Sequence, residues 1–294
     1  MKKIEMVDLK GQYEQIKEQV NRSVLETIES TLFINGPKVK SFQDHLEKYL
    51  GVKHVIPCAN GTDALQIALM SLGLKPGDEV ITSNFTFAAT VEVISLLGLT
   101  PILVDVDPKT FNIDIPSIEK AIGPKTKAII PVHLFGQVAD MWEILALAEE
   151  NNLYVVEDNA QSIGANYTFF DGTKKKTGTL GHVGTTSFFP SKNLGAYGDG
   201  GAIFTNDNEL AHTIRGIVNH GMYIRYQHDV VGVNSRLDSV QAAILNIKLN
   251  YLDIYNEFRK AAALKYNQRL ADNPKLVTPF RKGDCDTHVY HQYT

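Results

Sequence analysis

The chain has 294 residues, with 29 Lys and Arg set against 33 Asp and Glu, for a formal net charge of −4. Charges of both signs are interspersed, which argues against a surface built for nucleic acid or another polyanion. No apolar run approaches the roughly 20 residues that span a bilayer, the first eight residues lack the apolar stretch of a secretion signal, and two cysteines, Cys58 and Cys285, make neither a disulfide framework nor a metal cluster; the expectation is a cytoplasmic protein without a metal site.

The first strand is expected at residues 55–59. It runs into Gly61-Thr62-Asp63 and an apolar periodic segment at 63–72. A glycine turn that feeds a helix N-terminus is an anion site, so the N–H groups of Thr62 and Asp63 and the Thr62 hydroxyl could hold a phosphate. The Asp63 carboxylate suits the helix dipole, but only its main chain could face an anion. Further strands are expected at 79–83, 101–106, 128–133 and 153–158, alternating with helices at 88–97, 115–122 and 141–150. This order implies an α/β protein with a mainly parallel sheet and helices on both faces. Strands at 185–189 and 201–205 are joined by a glycine-rich loop, so one of them could run antiparallel. A long, bent amphipathic helix is expected at 235–271.

The chemistry gathers at the ends of these strands, where open α/β sheets bind ligands. The strand at 153–158 ends in Glu157 and Asp158, whose side chains must point to opposite sides. Lys192 follows the strand at 185–189. A desolvated lysine has a lowered pKa, and its neutral amine attacks carbonyls, as a Schiff base with pyridoxal 5′-phosphate requires. Such a cofactor also needs an acid against its pyridinium nitrogen to stay an electron sink, and Asp158 is placed for that. The competing role for Asp158 is a helix cap. His133 and His182 end up near strand termini and could be structural or near a ligand. A Rossmann-type oxidoreductase would share the strand pattern, but no G-x-G-x-x-G follows the first strand.

Several long segments then occur in one order: Phe33-Ile-Asn-Gly-Pro-Lys-Val39, Cys58-Ala-Asn-Gly-Thr-Asp-Ala-Leu65, the stretches at 76–90, 104–114 and 128–137, Val155-Val-Glu-Asp-Asn-Ala-Gln-Ser-Ile-Gly-Ala165, and those at 186–207 and 220–245. With them the chain resembles the pyridoxal-phosphate-dependent nucleotide-sugar aminotransferases of the DegT/DnrJ/EryC1/StrS family, within fold type I. The resemblance implies a seven-stranded sheet, Lys192 as cofactor anchor and proton carrier, Phe87 stacked on the cofactor ring, Gln161 on its 3-oxygen and Ser187 on its phosphate. It implies a homodimer in which Asn234 and Arg236 cross to the neighbouring site, and a loop bearing Arg225, Tyr226 and His228 that faces the sugar nucleotide. Arginine there suits a carboxylate or diphosphate.

Within the family, the chain looks most similar to enzymes that aminate C3 of UDP-linked 2-acetamido-3-oxo-glucuronates in O-antigen and surface-polysaccharide synthesis, with L-glutamate as donor. Enzymes acting on dTDP-linked deoxysugars are the alternative substrate class, and a non-catalytic cofactor-binding regulator is the alternative function. Family members with histidine at the lysine position dehydrate their sugars, which Lys192 disfavours. Residues 1–245 are expected to form the large cofactor-binding domain. Residues 246–294 would be a connecting helix and the first part of a small C-terminal domain, Thr287-His-Val-Tyr-His-Gln-Tyr-Thr294 opening one of its strands, with most of that domain missing from the chain.

Overall fold

The computed structural model describes residues 7–281 and 287–294, so Cys285 lies outside the described residues. Two helices that the strand pattern did not announce come first. Helix α1 spans Leu9–Ser30 and is capped by Asp8, whose carboxylate accepts from the Gly11 N–H at 2.8 Å. Helix α2, Pro37–Leu50, has proline in its first turn, where the missing N–H costs nothing, and ends on Gly51 in the left-handed region at φ 69°.

The alternating part follows as β1 (His54–Cys58), α3 (Gly61–Ser71), β2 (Glu79–Ser83), α4 (Ala88–Leu96), β3 (Thr100–Val104), α5 (Ile115–Ala121), β4 (Thr126–Ile130), α6 (Met141–Glu150) and β5 (Tyr154–Asp158). A small hairpin, β6 (Asn166–Thr168) with β7 (Lys174–Lys176), precedes β8 (Val183–Ser187) and β9 (Gly201–Thr205). Helix α7 (Asn208–Ile217), a second hairpin of β10 (Met222–Ile224) and β11 (Gln227–His228), and helices α8 (Ser239–Leu249) and α9 (Leu252–Leu270) complete the described elements.

The seven-stranded sheet runs β1-β9-β8-β5-β4-β2-β3. Strand β9 is antiparallel to both its neighbours, and every other pairing is parallel. Alternate residues feed two cores, as the pleat dictates. Ile56, Val80, Ile130, Val156, Val183 and Ile203 pack on one face against α3, α4 and α7. Val55 and Phe204 face α2 and α8 on the other side, where Ile81, Ile129 and Val155 meet residues of α5 and α6. Helix α1 joins this second side through Ile16 and Val20, packed with Ile244 of α8.

Some expected bounds move. The strand before Lys192 covers Val183–Ser187 and not 185–189, so Lys192 sits in a turn beyond it. The single helix expected at 235–271 starts later and is broken at Asn250 and Tyr251 into α8 and α9. The segment 287–294 forms no strand; its one bridge, His288 with Gln137, ties it to the loop after β4.

Candidate active site

The parallel strands end on one side of the sheet, and a cavity of about 730 Å³ opens there. It is lined by the start of α3, the β2–α4 junction, the end of β5, the 187–199 loop and the C-terminal segment at His291 and Gln292. Gly61, Thr62, Asp63, Phe87, Asp158, Gln161, Ser187 and Lys192 all line it.

Asp158 is only 5% exposed. Its Oδ2 accepts from the Thr90 hydroxyl at 2.9 Å and its Oδ1 from the Ala160 N–H at 3.1 Å. Because the Thr90 proton is committed to Asp158, the Thr86 hydroxyl, 2.9 Å away, must be the donor to Thr90. No helix follows β5, only a turn, so Asp158 is not a helix cap. Glu157 points to the other side and has a different task. It accepts from His133 Nε2 and from the N–H groups of Gly178, Leu180 and Gly181. His133 Nδ1 accepts from the Ala139 N–H, so this buried histidine is structural. His182 is structural too, its Nδ1 accepting from the Val155 N–H.

Lys192 shares the cavity with Asp158. Burial holds its ammonium below the ordinary lysine pKa, and the negative charge of Asp158 works against that shift. Among the described residues, none hydrogen-bonds the Lys192 amine. Phe87, at the cap of α4, is 71% exposed, so its ring is a cavity wall and not part of the core. Gln161 spends its Oε1 on the Phe135 N–H at 2.7 Å, which leaves its amide nitrogen as the donor available to a ligand.

The anion cradle differs in one donor from the sequence expectation. Asn60 caps α3 and its Oδ1 takes the Asp63 N–H at 2.8 Å. The Asp63 main chain is therefore occupied, and the N–H groups of Gly61 and Thr62 are the ones with no acceptor among the described residues. Gly61 lies against Ser187 at the end of β8, so close that a Cβ on the glycine would fall 2.6 Å from that of the serine. Two free N–H groups at a helix N-terminus beside the hydroxyls of Thr62 and Ser187 suit a phosphate. With an exposed aromatic face, a buried carboxylate and an unpaired lysine in the same cavity, these residues fit pyridoxal 5′-phosphate.

Five expected residues lie elsewhere. Arg225 and Tyr226 form the tip of the β10–β11 hairpin, the guanidinium 5.0 Å from the ring centroid, and His228 is anchored to the His220 carbonyl. Asn234 is exposed and bridges to Asn219. Neither it nor Arg236 nor the hairpin residues line the cavity of their own chain. Conversely, the cavity includes Asn60, Thr86, Asp199, His291 and Gln292, which the sequence reading did not single out. For Asn60 the signal was present, since asparagine before Gly-Thr is a preferred cap.

A mostly parallel seven-stranded sheet with a lysine and an aspartate on one cavity at the strand ends is the arrangement expected of an aminotransferase of fold type I. The chain belongs to the DegT/DnrJ/EryC1/StrS aminotransferase family, which matches residues 14–294. It is 50% identical over 293 residues to the pleiotropic regulatory protein of Geobacillus stearothermophilus, covering 99% of this chain and 77% of that one. It is 49% identical over 291 residues to the UDP-2-acetamido-2-deoxy-3-oxo-D-glucuronate aminotransferase of Pseudomonas aeruginosa, covering 99% and 79%. The structure of NtdA from Bacillus subtilis with bound cofactor PMP superposes with a TM-score of 0.90 at 33% identity, covering 100% of this chain and 66% of that one.

Proposed function

We propose that this aminotransferase moves an amino group from L-glutamate to the 3-oxo carbon of a UDP-linked 2-acetamido-3-oxo-hexuronate, as a cytoplasmic homodimer serving surface-polysaccharide synthesis. The cofactor is pyridoxal 5′-phosphate, as in the family. The observation that carries the reading is the convergence of Lys192, Asp158, Phe87 and the Gly61–Thr62–Ser187 cradle on one cavity. When bound, the cofactor spreads the electron pair left behind as the donor carbon loses its proton.

Lys192 would anchor the cofactor covalently, and as a free amine it would carry a proton to and from the donor carbon. Its pKa, lowered by burial, suits both tasks, since it makes the neutral amine more available to take a proton. Asp158, held by Thr90 and Ala160, would set its carboxyl group against the ring nitrogen. Phe87 covers one ring face and excludes water. The free N–H groups of Gly61 and Thr62, with the hydroxyls of Thr62 and Ser187, hold the phosphate, and the Gln161 amide nitrogen addresses the ring oxygen.

The choice of sugar rests on the similarity to the Pseudomonas aeruginosa enzyme. Asn234 and Arg236, which do not line their own cavity, reach the partner's cavity in the dimer, and the Arg225–Tyr226 tip supplies the cation and ring for a sugar carboxylate or diphosphate. No helix among the described residues is long and apolar enough to cross a membrane. The test is a panel of UDP- and dTDP-linked oxo-sugars offered with glutamate. Turnover of the UDP-linked 3-oxo-hexuronate above the others supports the reading; preference for a dTDP-linked deoxysugar overturns the sugar assignment.

A further inference from the structure

Residues 288–292 are pinned against the lysine loop by contacts from three parts of the chain. Asn193, next to Lys192, donates to the Asn256 Oδ1 at 2.7 Å and to the Val289 carbonyl at 3.2 Å. Arg259 Nη1 donates to the carbonyls of Tyr290 and His291 at 3.2 and 3.1 Å. The N–H groups of Val289 and Gln292 donate to the carbonyls of Gly136 and Phe135. Gly136 sits at φ 100°, and a Cβ there would fall 2.9 Å from the His291 nitrogen. The clamp sets His291 in the wall of the cavity that holds Lys192, with its Nδ1 buried and without a hydrogen-bond partner among the described residues.

A buried, unpaired ring nitrogen is costly, so it marks a site that another group completes. Lys192, on a flexible four-carbon stem in the same cavity, is the cation there whose amine has no hydrogen-bond partner among the described residues. We propose that His291 is a positioning residue for Lys192: its Nδ1 accepts a hydrogen bond from the free lysine amine and holds that amine toward the reacting carbon. The proposal rests on Lys192 being the cofactor anchor.

An acceptor must be neutral, and the surroundings keep it so. Burial, then the positive charges of Lys192 and Arg259, push the His291 imidazole down to about 3. The other charged groups of the cavity are carboxylates, Asp63 from α3, Asp158 from β5 and Asp199 before β9. A neutral acceptor favours the ammonium form, so His291 and Asp158 together oppose the effect of burial on Lys192.

The test reads Lys192 directly in the cofactor-free full-length chain. Acetic anhydride labels the neutral amine only, and mass spectrometry of the Lys192 peptide across pH gives its titration midpoint. His291→Phe should lower that midpoint by about one pH unit, the size of one lost hydrogen bond. His291→Asn, whose amide oxygen falls near the Nδ1 position, should restore it, whereas His291→Gln reaches the Nε2 position and should not. If the phenylalanine variant does not fold, His291→Leu is read the same way. An unchanged midpoint in the folded apolar variant, or no difference between the asparagine and apolar variants, overturns the proposal. Failure of the anchor assignment would show separately, as cofactor trapped at a residue other than Lys192.

Discussion

Gly61 and Ser187 meet so closely that an added methyl group would stand 2.6 Å from the serine Cβ and 3.2 Å from its Cα. The contact brings the first turn of α3 to the end of β8, two elements far apart in sequence, and sets the proposed phosphate cradle between them. Gly61→Ala should push them apart at a cost of about 1–3 kcal/mol. Cofactor affinity, measured by titrating the cofactor-free protein and following absorbance, should fall by roughly tenfold or more. Unchanged affinity would show that the cradle lies elsewhere.

Glu157 and Asp158 are neighbours with separable roles. The Glu157 carboxylate accepts from His133 at 2.9 Å, from Gly178 at 2.8 Å and from Leu180 and Gly181 at 2.6 Å each. Glu157→Gln turns an NH2 toward those donors and should cost about 3–5 kcal/mol in urea unfolding. Asp158→Asn retains an acceptor for Ala160 or Thr90 and should fold almost as well, yet lose most turnover. Equal stability losses with normal turnover in the Asp158 variant would assign both residues to the scaffold.

Lys248 on α8 is 1% exposed, and its ammonium lies 5.2 Å from the Tyr197 ring centroid. Burial pushes its pKa from 10.5 to about 8. The folded chain therefore releases this proton at lower pH than the unfolded chain, and between those two values the unfolded state holds more protons. Stability should rise with pH across that window, and the burial penalty is fully present below about pH 8. Lys248→Met should raise unfolding free energy near pH 7 by on the order of 2–3 kcal/mol and remove the rise. Urea unfolding at about pH 7 and about pH 9.5 checks both. A methionine variant that is less stable at both would contradict the account.

Shared sites predict complementation. A Lys192→Ala chain and a chain with Asn234→Ala and Arg236→Ala should each be inactive. In the mixed dimer, one site combines an intact lysine with the partner's intact pair. Random exchange gives half mixed dimers, so roughly a quarter of wild-type activity should return. No recovery after exchange has been demonstrated by mass would show that the sites are not shared.

The sheet was legible because its strands are short apolar runs set between helices, and β2, β9 and α6 fall where the pattern puts them. The opposed directions of Glu157 and Asp158 follow from the strand period alone. Other features depend on contacts distant in sequence. Nothing local marks the break at Asn250 and Tyr251, where neither glycine nor proline occurs. The Asp63 N–H looked free until the Asn60 cap was seen to take it. His291 reads as part of a strand, and only the docking of its segment through Asn193 and Arg259 brings it into the cavity that holds the lysine.

The most direct test of the account is the site of covalent cofactor attachment. Borohydride reduction of the protein with bound pyridoxal 5′-phosphate, followed by digestion and mass spectrometry, should place the added mass on Lys192 alone. Lys192→Ala should abolish both the trapping and turnover, and Lys192→Arg should not restore them, because a guanidinium supplies no neutral amine. Attachment at any other lysine, or undiminished trapping in the alanine variant, would contradict it.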